Sequence, residues 1–113
     1  DQLMRRLLIA AASIAALGVH AQAPVPPSFT RPDRGACSAC HQLPDNVGAQ
    51  TRADLGPRLE GSRMRALGRN GIRQSIVDPT RANPDTVMPP FGRHRILSAE
   101  EIRQLVEYLH ALP

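Results

Sequence analysis

Both cysteines of this 113-residue chain fall within five consecutive residues, Cys37-Ser38-Ala39-Cys40-His41. On one helical turn, residues i and i+3 project to the same side, with Cβ atoms roughly 5–6 Å apart. The spacing therefore sets two sulfurs side by side and places an imidazole directly after them. Around this cluster the chain is poor in core material. It has no Trp, and its aromatic residues are Phe29, Phe91 and Tyr108, each of which would normally bury roughly 150–250 Å². A domain of this size hides only about two thirds of its unfolded surface. Such a core calls for an additional apolar group.

Charge narrows the partner classes. All 14 basic residues are Arg, set against 10 Asp and Glu, for a net charge of +4. The Arg residues are scattered, and no aromatics alternate with them to stack bases, so nucleic acid is excluded as a partner. Two cysteines are too few for a disulfide-stapled miniprotein. The length fits one domain.

The amino-terminal stretch reads as a targeting signal. Arg5-Arg6 precede the apolar run Leu7 to Val19, and Ala21-Gln22-Ala23 follows it. A basic start, a short apolar stretch and an Ala-x-Ala ending define a secretory signal peptide over residues 1–21, cleaved after Ala21 or Ala23. The run falls short of the roughly 20 apolar residues a transmembrane helix needs. No span is expected after processing, and the expected compartment is the periplasm. An uncleaved amphipathic anchor is the competing reading.

Residues 22–32 form a Pro-rich leader, expected to be extended with no fixed helix. The folded domain is placed at 33–113. A short helix is expected over 33–41, and mostly loop over 42–69 with one helical turn near 62–67. A two-turn helix over 70–77 is stopped by Pro79. A proline-stiffened loop follows over 78–95. Ser98 with Glu101 makes a capping box, and Ile102, Leu105, Val106, Leu109 and Leu112 trace one apolar stripe. No strand pattern appears. The expected fold is all-α, a few helices with long loops.

CxxCH is the spacing of c-type haem attachment. Cys37 and Cys40 would each form a thioether to one porphyrin, and His41 would then face its iron. A thioredoxin-like CxxC lacks the βαβ setting, a zinc site lacks a second ligand pair, and a plain disulfide is the third competitor. Haem c, one group covalently held, is the predicted cofactor.

Met88 is the predicted sixth ligand. It precedes Pro89-Pro90, whose fixed φ pushes the preceding backbone into extended geometry. Met64, His94, His110 and an open position are the alternatives. His/Met coordination raises the reduction potential, which suits one-electron transfer. Arg58, Arg63 and Arg65 are candidate partners for propionates, and Gly56-Pro57 a turn beside the histidine.

CxxCH, Gly-Pro, a Met loop and a final amphipathic helix resemble a class I c-type cytochrome. More narrowly, the DPT-x₃-NP-x₃-MPPFG stretch over 78–92, followed by IL-S-x-EEI, resembles SoxX, the monohaem subunit of the periplasmic SoxAX complex of sulfur-oxidising bacteria. The likeness covers about Gly35 to Leu112. It implies iron ligation by His41 and Met88. It further implies a heterodimer with a SoxA-like haem-bearing subunit that couples thiosulfate oxidatively to a cysteine on a carrier protein, an L-cysteine S-thiosulfotransferase. Electrons would pass to a downstream acceptor cytochrome. With both thiols bound as thioethers, no sulfur nucleophile remains on this chain, so it would be no enzyme alone. A free-standing periplasmic electron shuttle is the alternative function.

Overall fold

The computed structural model describes residues 23–113 apart from Asn46 and Ala49. The signal segment expected over 1–21 lies outside the described residues. Among the described residues three α-helices form: α1 over Pro27–Thr30, α2 over Gly61–Val77 and α3 over Ala99–His110. Two 3₁₀ turns, Cys37–Ala39 and Pro79–Arg81, lie in the connections. Among the described residues there is no strand, in agreement with an all-α fold.

α3 is the best specified element. The Ser98 hydroxyl accepts from the Glu101 N–H, and the Glu101 carboxylate accepts from the Ser98 N–H, each at 3.1 Å. This satisfies two donors that a helix start leaves orphaned. Glu100 and Glu101 occupy the positive end of the helix dipole and His110 the negative end. The stripe Ile102, Leu105, Val106, Leu109 and Leu112 is buried throughout, no member more than 6% exposed. Each such side chain contributes roughly 1.5–3 kcal/mol by leaving water.

That stripe packs on α2, which supplies Met64, Ile72 and Ile76. α2 merges the two helical segments expected separately near 62–67 and over 70–77. The break between them is real: Gly68 sits at φ 70°, ψ 167°, a conformation that L side chains rarely adopt. Helical bonding resumes directly after this kink, so one element bends.

Two expectations are corrected. The helix expected over 33–41 is a set of turns ending in the single 3₁₀ turn Cys37–Ala39. The leader does hold fixed structure. Pro27 takes the first position of α1, where its missing N–H costs nothing. Phe29 is 1% exposed and meets Tyr108 of α3 with ring centroids 6.3 Å apart. Burial of that ring overrides the extended bias of the prolines around it. No helix of the described residues is long and apolar enough to cross a membrane.

Candidate functional site

The histidine is positioned by two short segments zipped together. The Gly56 N–H donates to the Cys40 carbonyl at 2.8 Å, and the Leu59 N–H donates to the Gln42 carbonyl at 2.9 Å. Between these bonds the Pro57 carbonyl oxygen meets His41 Nδ1 at 2.6 Å. A carbonyl can only accept, so Nδ1 carries a proton, and in the neutral ring Nε2 then keeps its lone pair. A backbone carbonyl accepting from the far nitrogen commonly orients an imidazole that serves as a ligand.

Gly56 lies flat against this ring. A Cβ added there would stand 2.7 Å from Nδ1 and 2.9 Å from Nε2, and closer still to Cε1. Only glycine lets the backbone approach so near. His41 is 9% exposed.

Cys37 and Cys40 are unpaired thiols at either end of one tight turn, closed by the His41 N–H donating to the Cys37 carbonyl at 2.8 Å. Burial pushes the Cys37 thiol up to about 11. It is therefore protonated at neutral pH, a poor thiolate for metal binding or disulfide exchange. Among the described residues no three His, Cys, Asp or Glu side chains gather into a metal site. The zinc and redox-thiol readings of CxxC lose ground accordingly.

Met88 comes from the loop between α2 and α3. The base of that loop is clamped to the end of α2, where the Phe91 N–H donates to Ile76 O and the Gly92 and Arg93 N–H groups donate to Val77 O, at 3.0–3.2 Å. At its start the Asp78 carboxylate accepts from the Thr80 N–H and hydroxyl. The Thr86 hydroxyl oxygen accepts from the Met88 N–H at 3.1 Å. Met88 and Cys37 are both partly buried and pack against the same apolar cluster.

The competitors for the sixth position are placed elsewhere or otherwise. Met64 is a 3% exposed core residue of α2. His94 is exposed in a turn, and His110 ends α3 beside Glu107, whose carboxyl is lowered chiefly by its hydrogen bond to Arg69. Two of the three Arg residues proposed for propionates have other partners. Arg58 pairs with Asp45 at 3.0 Å and Glu60 at 3.2 Å, and Arg65 donates to the Leu112 carbonyl at 2.7 Å. Arg63 is exposed on α2.

The sequence reading missed the hydrogen-bonding role of Asp78 and Thr86 in supporting the Met88 loop. The signal was available in Asp78-Pro79-Thr80, an acceptor side chain before a proline at the first position of a 3₁₀ turn.

These residues fit a covalently held porphyrin. A pair of thiols on one turn precedes an imidazole whose outer nitrogen is left free. Leu55, next to Gly56, and Val87, next to Met88, are 68% and 74% exposed, apolar surface in a chain with little of it to spare. An all-α domain with this pattern is a c-type cytochrome. Residues 33–109 match the family described as cytochrome C oxidase, cbb3-type, subunit III, and the chain belongs to that family. It is also similar to a protein of Aquifex aeolicus (strain VF5) named uncharacterized lipoprotein. The two are 32% identical over 77 residues, 68% of this chain and 36% of that protein. The chain thus matches little more than a third of that relative's length. The family implies haem c and electron transfer.

Proposed function

We propose that this protein is a periplasmic monohaem c-type cytochrome, exported by its amino-terminal signal, that serves as the SoxX-like electron-accepting subunit of a SoxAX-type thiosulfate-oxidising complex. The observation that carries the cytochrome reading is the His41 imidazole, oriented by the Pro57 carbonyl directly after the two thiols. Cys37 and Cys40 would hold one haem as thioethers, and His41 and Met88 would bind its iron. Bound there, the group would supply a one-electron Fe(III)/Fe(II) couple whose potential His/Met ligation raises.

The protein residues do the rest. Pro57 and Gly56 fix the imidazole plane, the Val77 carbonyl and Asp78 anchor the Met88 loop, and Met88 would supply the second iron ligand. Side chains held this firmly would keep reorganisation small when the bound group exchanges an electron. Consuming both thiols as thioethers removes every sulfur nucleophile from the chain, so bond making between thiosulfate and a carrier cysteine belongs to a partner subunit. That step releases two electrons and one proton as the S–S bond forms, and this chain would take the electrons singly. The SoxX reading is supported by the Asp78-to-Gly92 motif and the Ile96-to-Ile102 continuation.

Affinity capture of the tagged holoprotein from a thiosulfate-oxidising periplasm tests the reading. Recovery of a second haem-bearing chain, with thiosulfate-dependent reduction of the haem as the optical readout, supports the complex. A lone monomer indifferent to thiosulfate supports the free-standing shuttle instead.

A further inference from the structure

Two clefts, each about 560 Å³, adjoin along the second half of α2 and share Arg73 and Val77 as walls. One continues past Ile96 and Arg95 to the start of α3, and the other past Arg81 and Arg93 to Asp78. Together they form one trough. Neither is lined by His41 or Met88.

The trough has a charged rim and an apolar lining. Arg34, Arg73, Arg81, Arg93 and Arg95 border it, while Val77 and Ile96 are half-buried within it. The chain's own carboxylates do not balance this charge. Glu101 is taken by Arg34, and Asp78 by Thr80 and, at 3.6 Å, by Arg93. Among the described residues Arg73, Arg81 and Arg95 have no ion-pair partner. Like charges gathered on one face repel one another, and an acidic surface brought against them relieves that repulsion and speeds encounter.

We propose that this trough docks an acidic segment of the protein with which this cytochrome exchanges electrons. Its carboxylates would meet the Arg rim while one or two apolar side chains sit on Val77 and Ile96, the arrangement of apolar centre and polar rim usual for interfaces. The partner's redox role rests on the function proposed above; the docking chemistry rests on the trough alone. The position has a consequence for the site. The Val77 carbonyl, which anchors the Met88 loop through Gly92 and Arg93, lies at the trough wall, so a docked segment bears on the base of that loop.

The test titrates reduced, ¹⁵N-labelled holoprotein with a short synthetic peptide of alternating Glu and Leu. Amide shifts are expected to cluster on Arg73, Val77, Arg81, Arg93 and Arg95, and to weaken as salt shortens the screening length. The R73E/R95E double variant should bind the peptide at least about tenfold more weakly, whereas R31E/R103E, outside the trough, should bind as the parent does. Thermal midpoints and the visible spectrum confirm that each variant is folded and loaded. Unchanged affinity in R73E/R95E, or shifts centred on another face, would overturn the proposal. So would Arg73- and Arg95-dependent binding to phosphatidylglycerol vesicles with no response to the peptide. Thiosulfate-dependent reduction is measured separately, so failure of the functional reading and failure of the docking site give different results.

Discussion

His41 Nδ1 stands 2.6 Å from the Pro57 carbonyl oxygen, and this one contact decides which nitrogen of the neutral ring is left free to act as a ligand. The carbonyl belongs to the main chain, so no side-chain substitution deletes it. Its neighbour can be disturbed. In Gly56→Ala the new methyl group would overlap the imidazole at both nitrogens, and either the ring or the 56–59 backbone must move. Overpacking of this kind costs about 1–3 kcal/mol. Denaturant unfolding of G56A holoprotein should show that loss, and its reduction potential should differ from the parent's. An unchanged potential would mean that the ring is not held from this side.

Ser98→Ala removes the acceptor for the Glu101 N–H and half of the capping box. The expected loss is about 1 kcal/mol. Glu101→Ala should cost more, because the same carboxylate also takes a two-pronged, half-buried bond from Arg34, just ahead of the Cys37 turn. Urea midpoints of the two variants measured side by side give the order. Equal midpoints would show that the Arg34 link carries no stability.

Asp78 gives the fold an acid sensitivity of known sign. Hydrogen bonds from Thr80 and the charges of Arg93 and Arg81 hold its carboxyl below the usual carboxylate range. A group whose folded value is depressed contributes stability above its unfolded value, near 4, and loses that contribution as pH falls through the folded value. Stability against pH should therefore decline more gently at the acid end in Asp78→Asn than in the parent, with the variant less stable at pH 7. Parallel curves for the two proteins would deny Asp78 this role.

The parts of this fold that could be foreseen are those whose causes are local. The α3 stripe and its Ser98–Glu101 box follow from spacing within one helix. At the candidate site the residue types and spacing of Cys37, Cys40, His41 and Met88 are what a sequence displays directly. What holds those side chains was less visible. The Val77 carbonyl that anchors the Met88 loop is main chain, and main chain looks the same at every position. Phe29 was hidden for another reason: the ring it meets, on Tyr108, lies in the last helix, and the prolines around Phe29 bias the local pattern toward an extended leader.

Phe29 supplies a prediction from that omission. Its ring is 1% exposed in the apolar cluster, and replacing a buried Phe with Ala costs about 3–5 kcal/mol. F29A should lower the thermal midpoint by many degrees, while Thr30→Ala, on the exposed side of the same helix, should barely move it. Equal, small effects of the two would return this segment to the status of a loose leader.

Met88→Leu separates ligation from packing. Leu nearly matches Met in volume, so a methionine that served only the apolar cluster would be replaced at a cost below about 1.5 kcal/mol. The thioether sulfur is what Leu lacks. If Met88 binds iron, M88L keeps its covalent haem, because Cys37 and Cys40 are untouched, but loses the sulfur ligand that raises the potential. The expected signature is a lower reduction potential and rapid carbon monoxide binding to the reduced protein. The loop supports the distinction, since Asp78, Thr86 and the Val77 carbonyl hold its backbone through bonds that do not involve the Met88 side chain. A variant with the parent's potential and no carbon monoxide binding would move the sixth ligand to another residue.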